Sequence, residues 1–215
     1  MYRENENDTL RSVVINPQAP HEILILKEKG DLLLSKDAGI SWELQNFFKN
    51  QRMADLFVDP NSSERLYAAS KENGLYRSDD LGKNWVGLNS DLSDFSGGLE
   101  YRRFLVYPST KDLIYYVSTY GIHRSVDAGE SWEALELIHP PGSARIYGFD
   151  ASPQNQKELY YTATINNRST FYKSIDEGES WITKKLPSGQ IPTALRAHPT
   201  NQDLVYLGFT IPPEQ

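Results

Sequence analysis

Arginine recurs at or just before short apolar runs: Arg11 before SVVIN, Arg52 before DLFVD, Arg102 and Arg103 before FLVY, and Arg145 before YGFDAS. A planar guanidinium presents paired N–H donors to a carboxylate or phosphate, so several of them on one surface would hold an acidic ligand. Tyr101, Tyr120, Tyr147 and Phe95 fall in the same neighbourhoods, where an aromatic ring can stack on a sugar or pack against a partner protein. Arg52, Arg102, Arg103, Arg145, Tyr101 and Tyr147 are therefore the candidate ligand-binding residues. The competing expectation for the arginines is solvation or pairing with local acids.

Catalytic chemistry is harder to assign. Asp91, Asp94, Glu100 and Glu133 are candidates for the two separated carboxylates that glycoside hydrolysis needs. Many loop carboxylates qualify equally, so no catalytic residue is assigned. His21, His123, His139 and His198 lack metal-ligand spacing, and cysteine is absent, which removes disulfides, thiol nucleophiles and cysteine-ligated zinc. No phosphate-binding glycine loop or Ser-His-Asp arrangement stands out. The expectation is a protein with no metal and no cofactor.

The balance of 22 Lys and Arg against 29 Asp and Glu gives a net charge of -7, which opposes a general attraction to nucleic acid. No run approaches the roughly 20 apolar residues of a membrane span, and the opening MYRENENDTLR lacks the apolar centre of a secretory signal. As written the chain reads as soluble and cytoplasmic, or extracytoplasmic if residues precede it. Sequons at Asn7, Asn61 and Asn167 are patterns short enough to arise by chance.

Internal repetition shows which elements must position these side chains. Four octads share one pattern: SKDAGISW from Ser35 to Trp42, SDDLGKNW from Ser78 to Trp85, SVDAGESW from Ser125 to Trp132, and SIDEGESW from Ser174 to Trp181. Their Trp residues lie 43, 47 and 49 residues apart. A second landmark accompanies them, because Pro17, Pro60, Pro108, Pro153 and Pro199 each separate two short apolar runs. Each unit thus reads as four strands, A to D: two flanking the proline turn, one entering the octad and one leaving from its Trp. Strands A and B look the most continuously apolar, as if packed on both faces, and D reads as a mixed outer edge.

Within the octad, Gly39, Gly82, Gly129 and Gly178 suit a reversal with positive φ. Asp37, Asp80, Asp127 and Asp176 can accept turn N–H groups. Ser35, Ser78, Ser125 and Ser174 can bond back to the turn. Trp42, Trp85, Trp132 and Trp181 are large enough to fill the space between neighbouring sheets. Asn84 stands where the other copies have Ser41, Ser131 and Ser180, and keeps a hydrogen-bonding side chain.

This octad resembles the Asp-box, or BNR, repeat of sialidases, sortilin-type receptors, xyloglucan-degrading glycosidases and photosystem II assembly-factor propellers. The resemblance covers nearly the whole chain. It implies an all-β fold, a β-propeller of four-stranded antiparallel blades, and a structural rather than catalytic role for the octads. The expectation is one propeller domain over 1–215, with blades near 11–50, 51–95, 96–140 and 141–190 and a partial fifth over 191–211. Four blades are complete. The simplest expectation is a piece of a larger ring; the alternatives are a five-bladed ring with a degenerate last blade, or completion by another chain through the exposed edge Leu204 to Phe209.

In such propellers the start of strand A lies near the central axis, which would gather the arginines into a basic mouth. The loop from Gly87 to Glu100 is the longest and the natural specificity element. The Arg-Ile-Pro signature of sialidases is missing, since Gln190 precedes Ile191 and Pro192, and Thr210 precedes Ile211 and Pro212. The expected function is a non-catalytic propeller that binds a protein or carbohydrate ligand on its axial face, with no nucleic acid, no membrane span and self-association through an unpaired edge strand. The alternative is a sialidase-like or xyloglucanase-like glycoside hydrolase.

Overall fold

The computed structural model describes residues 8–210; Asn7, Ile211 and Pro212 lie outside the described residues. The fold is all-β, with one 3-10 turn at Leu92–Asp94 as the helical element among the described residues. The first sheet is built from β1 (Leu10–Ile15), β2 (Ile23–Lys27), β3 (Asp31–Ser35) and β4 (Glu43–Phe47). The second contains β5 (Met53–Val58), β6 (Leu66–Ser70), β7 (Leu75–Ser78) and β8 (Val86–Gly87). The third contains β9 (Tyr101–Val106), β10 (Ile114–Ser118), β11 (Ile122–Ser125) and β12 (Glu133–Ala134). The fourth contains β13 (Arg145–Ala151), β14 (Leu159–Ile165), β15 (Arg168–Ser174) and β16 (Ile182–Lys185), and a two-stranded fifth pairs β17 (Ile191–Ala197) with β18 (Val205–Thr210). Each four-stranded sheet runs in chain order from A to D.

Two compact units divide the chain. The first comprises residues up to 94 with 99–101 and 129–131; the second comprises 95–98, 102–128 and the chain from 132 onward. The core of the first is aliphatic, with Leu24, Leu26, Leu32, Leu34, Met53 and Leu66 fully or almost fully buried. That of the second is aromatic, with Tyr107, Tyr115, Phe149, Tyr161 and Tyr172 among its members.

Burial corrects the expectation that strands A and B are the most enclosed. In the first and third sheets B and C are, β10 being buried along its length and β3 and β11 over most of theirs; β6 and nearly all of β14 are buried too, but in the fourth sheet β13 is more enclosed than β15, as expected. Strand A of the first sheet is exposed or half-buried throughout, and β9 is largely so. In an A-B-C-D sheet, A is an edge strand just as D is, with a ladder on one side only. Apolar composition therefore did not reveal radial position. The register also slips once in β1, β5, β13 and β17, at Arg11, Ala54, Tyr147 and Thr193. Each of these is six residues before its proline, so a β-bulge recurs in strand A and frees a backbone group from the ladder.

The octads reproduce one hydrogen-bonded turn. The Ser35, Ser78 and Ser174 hydroxyls donate to Asp37, Asp80 and Asp176 at 2.7–2.8 Å and accept the N–H of Gly39, Gly82 and Gly178 at 2.8–2.9 Å. Ser125 donates to Asp127 at 2.7 Å in the same way. The aspartate then accepts the backbone N–H of residue seven, Ser41, Asn84 or Ser180, and its side-chain donor as well. Burial contributes little here; these donors hold Asp37, Asp80 and Asp176 at about 2, below the ordinary 3.8.

Two features of the turn carry no sequence signal. The residue before each glycine, Ala38, Leu81, Ala128 or Glu177, also has positive φ, between 56° and 62°. Its N–H donates to the backbone carbonyl of His21, Glu64, Asp112 or Lys157 at 2.8–3.0 Å, two residues before strand B. Every octad is thereby tied to the proline turn of its own sheet. The Trp residues differ more. Trp85 and Trp181 pack against the cores of their units, and Trp132 is 8% exposed. Trp42 belongs to neither core cluster: half-buried, it lies against Gly39 of its own turn and donates its indole N–H to that carbonyl at 3.1 Å, the bond Trp85 also makes to Gly82.

Candidate functional site

The starts of the A strands and the adjacent B-to-C turns carry the candidate side chains, and the two units handle them differently. In the first unit, Glu28, in the β2–β3 turn, receives Arg52 at 3.2 Å, Lys71 at 2.7 Å and an ion pair from Arg11. Lys71 and Arg11 are the main cause of a carboxyl held at about 2, well below its ordinary 4.5. Arg52 also lies 3.6 Å from Glu72. The Tyr101 hydroxyl donates to Asp55 at 3.1 Å, and Ser12 donates to the other carboxylate oxygen at 3.0 Å. Arg52 and Tyr101 are thus committed to acids of the protein itself.

In the second unit the candidate arginines Arg102 and Arg103 hydrogen-bond to neutral oxygens. Arg103 reaches from β9 to the carbonyl of Tyr147 in β13 at 3.2 Å and to that of Thr193 in β17 at 3.3 Å. Both carbonyls belong to bulge residues, released from regular pairing and open to a guanidinium. Arg103 therefore staples three successive A strands, a role its sequence position did not announce. The exposed Arg102 donates to the Thr119 hydroxyl at 3.0 Å. Arg145, the first residue of β13, is exposed and has no acidic partner among the described residues. Arg103 and Tyr147 are brought into contact; Arg102 and Arg145 flank them at the starts of β9 and β13. Asp150, deeper in β13, is pushed up by burial while Ala197 N–H and Arg196 oppose that shift.

The loop between β8 and β9 does not stand free. Leu92 is fully buried, and the Phe95 ring lies 4.8 Å from both Tyr120 and His123. Of the proposed acids, Asp94 donates its N–H to the Asp91 carbonyl at 3.1 Å in the 3-10 turn, and Glu133 is ion-paired with Arg124 at 3.2 Å. Beneath Phe95 lies a pair that sequence reading missed. Ser118 Oγ is 2.9 Å from His123 Nε2, both are buried, and burial lowers the imidazole to about 4. Its signal was the short β10–β11 hairpin, which sets Val117 opposite Ile122. A neutral, enclosed imidazole beside a serine that also accepts Tyr120 N–H has no route to a substrate. The groups of His, Asp and Glu that could hold a metal number none among the described residues.

No family model matches the sequence. Two curated relatives align with most of the chain: the human VPS10 domain-containing receptor SorCS2, 26% identical over 186 residues, and the xyloglucanase Xgh74A of Acetivibrio thermocellus, 23% identical over 202 residues. These cover 82% and 85% of the chain but only 15% and 20% of the relatives. Among solved structures, a GH74 xyloglucanase from Xanthomonas campestris superposes with a TM-score of 0.74 at 17% identity, over 91% of this chain and 34% of that one. YCF48 from Cyanidioschyzon merolae superposes at 0.66 and 18%, over 99% and 70%. A structure of YCF48 bound to D1 peptide gives 0.61 and 14%, over 94% and 67%. The fold is that of the β-propellers, with four four-stranded antiparallel sheets and a partial fifth. No helix among the described residues is long and apolar enough to cross a membrane.

Proposed function

We propose that this propeller is a non-catalytic binding module for an acidic segment of a protein partner, with an acidic glycan as the other ligand class its surface admits. The observation that carries the reading is the exposure of Arg102 and Arg145 at the starts of β9 and β13, where the first has a hydroxyl partner and the second no acidic one among the described residues. A cation without a carboxylate partner loses no ion pair when a ligand carboxylate arrives, whereas Arg52 would have to leave Glu28. Tyr147, two residues after Arg145 in β13, supplies a half-buried ring. Two of the similar proteins support the class: one is named a receptor, and one structure is described as bound to a peptide.

The test is binding of the full chain to a fluorescent hexaglutamate peptide and its neutral glutamine counterpart. Arg102→Glu with Arg145→Glu should weaken the acidic peptide by roughly tenfold or more without changing the melting temperature. Equal affinity for both peptides, or no effect of charge reversal, would overturn the assignment. Within the same proposal the octads are Asp-boxes of structural function, the chain is one propeller domain, and β18 offers an edge for pairing with a second copy. Light scattering across a concentration series tests that last point.

The second reading is a glycoside hydrolase, favoured by the likeness to Xgh74A and to the GH74 fold. Hydrolysis of xyloglucan or fluorogenic glycosides, abolished by replacing one carboxylate among Asp91, Asp94, Glu100 and Glu133, would establish it in place of the binding module.

A further inference from the structure

A second surface, within the first unit, has the composition of a ligand site. A groove of about 380 Å³ runs beside the tail of β4 and the ends of β7 and β8, lined by Phe48, Tyr76 and Trp85 with Lys49, Lys83 and Gln51. The volume sits at the small end of the roughly 300–1,000 Å³ of ligand pockets. The rings form its wall, Phe48 lying 5.7 Å from Tyr76 and 5.0 Å from Trp85 at tilts near 60°. Phe48 is buried, while Tyr76 and Trp85 are half-buried and present ring surface.

Its polar groups are left over from folding. The Trp85 N–H is satisfied by Gly82, so that ring contributes only its apolar body. The Tyr76 hydroxyl makes no hydrogen bond among the described residues. Gln51 accepts from Ser70 at 3.3 Å through its carbonyl oxygen, leaving its amide donors. The ammonium groups of Lys49 and Lys83 have no carboxylate partner among the described residues, and no acid lines the groove. Asp80, the nearest octad aspartate in sequence, has its oxygens taken by Ser78 and Asn84. A groove with two cations and no acid, in a chain of net charge -7, selects for anions by its local field.

We infer that this groove binds an acidic carbohydrate, a uronic-acid ring whose C–H face packs on Tyr76 and Trp85 while its carboxylate is met by Lys49 and Lys83. Aromatic walls favour the apolar face of a pyranose, and the Tyr76 hydroxyl and Gln51 amide suit ring hydroxyls. Lysine suits the carboxylate because a flexible point charge needs no fixed bidentate geometry. An acidic peptide would use the same cations but has no need of the ring wall, which is why the sugar is the better occupant.

The experiment titrates the full chain with hexagalacturonate and follows the indole N–H resonances of the four tryptophans, the Trp85 signal being assigned with Trp85→Phe. The expected result is a saturable shift of Trp85, an affinity about tenfold weaker in Lys49→Ala with Lys83→Ala, and no shift with neutral cellohexaose. Tyr76→Phe should weaken binding severalfold while leaving the melting temperature unchanged. Charge reversal at Arg102 and Arg145 should leave this titration untouched, so the two surfaces fail or succeed independently. Equal affinity and shifts with hexaglutamate, or an unchanged affinity in the double lysine variant, would overturn the inference.

Discussion

The octad turns and the starts of the A strands both recur along the chain, yet one repeats its chemistry and the other does not. In the octads, the hydrogen bonds of the Ser and Asp side chains join residues two to four positions apart, such as Ser35 to Asp37 and Asp37 to Ser41. At the A-strand starts the partners lie far apart in sequence: Arg52 meets Glu28, Tyr101 meets Asp55, and Arg103 meets Thr193. Local contacts copy faithfully when residues repeat. Long-range contacts depend on what each sheet's neighbour supplies, so those positions diverge and are free to become specific.

The largest effect that would sharpen this contrast is at the octad tryptophans, where identical residues have unequal surroundings. Trp132 is 8% exposed, whereas Trp42 is half-buried against its own turn. Trp132→Ala should cost about 3–5 kcal/mol in denaturant unfolding, and Trp42→Ala distinctly less. Equal costs would mean that the indole acts through the turn alone rather than through packing.

Next come two glycines that share a conformation but not a neighbourhood. Gly39 and Gly82 have φ of +90° and +88°. A methyl group at Gly39 would meet nothing closer than Trp42 at 3.7 Å, whereas at Gly82 it would meet Leu32 Cδ2 at 2.7 Å and Leu66 Cδ1 at 3.3 Å. Both alanine variants carry the strain of positive φ, about 1–2 kcal/mol, and Gly82→Ala adds overpacking of about 1–3 kcal/mol. Thermal melts that rank Gly39→Ala as the worse would contradict the packing drawn for the second turn.

Acid separates the two kinds of contact by cause. Asp37, Asp80 and Asp176 are held at about 2 against an ordinary 3.8, and Glu28 at about 2 against 4.5. A carboxyl whose folded value is depressed stabilises the protein above its unfolded value, and that contribution is lost as pH falls through the folded one. Stability should therefore decline between about pH 4.5 and 2, Glu28 contributing from the upper end of the window. Asp37→Asn and Glu28→Gln should each flatten part of this slope. Added salt should weaken the Glu28 part, which rests on ion pairs, and leave the octad part, which rests on hydroxyl and amide donors. A slope equally salt-sensitive in both variants would erase the distinction.

These contrasts also mark what could be read from sequence. The octad and its proline companion were legible because each is a short pattern with a local physical cause, and they carried the fold and the strand order. Burial of strand A was misread because Val13, Val14 and Ile15 are apolar on an edge strand, and composition reports apolarity rather than position in the sheet. The arginines were legible as a group, but their fates were not. Arg52 is balanced by a glutamate 24 residues earlier and Arg103 is held by bulge carbonyls, and neither partner has a motif. The lysine and aromatic groove went unseen for the same reason: Phe48, Tyr76 and Trp85 come from separate parts of the first two sheets and read singly as core.

The smallest effect probes the fourth octad position, where residue type varies while the positive φ is kept. Ala38 and Leu81 both sit at positive φ, at 56° and 58°, a conformation that costs a residue with a Cβ about 1 kcal/mol relative to glycine. Ala38 is exposed, so Ala38→Gly removes that strain and gives up little packing. It should raise stability by about 0.5 kcal/mol once the added freedom of the unfolded chain is subtracted. Leu81 packs against the first unit's core, so Leu81→Gly relieves the same strain but loses a side chain and should destabilise. If both glycine variants moved in the same direction, backbone strain or packing alone would govern this position. Opposite signs would show that the turn tolerates strain in one copy because its side chain is needed elsewhere, a long-range demand placed on a local motif.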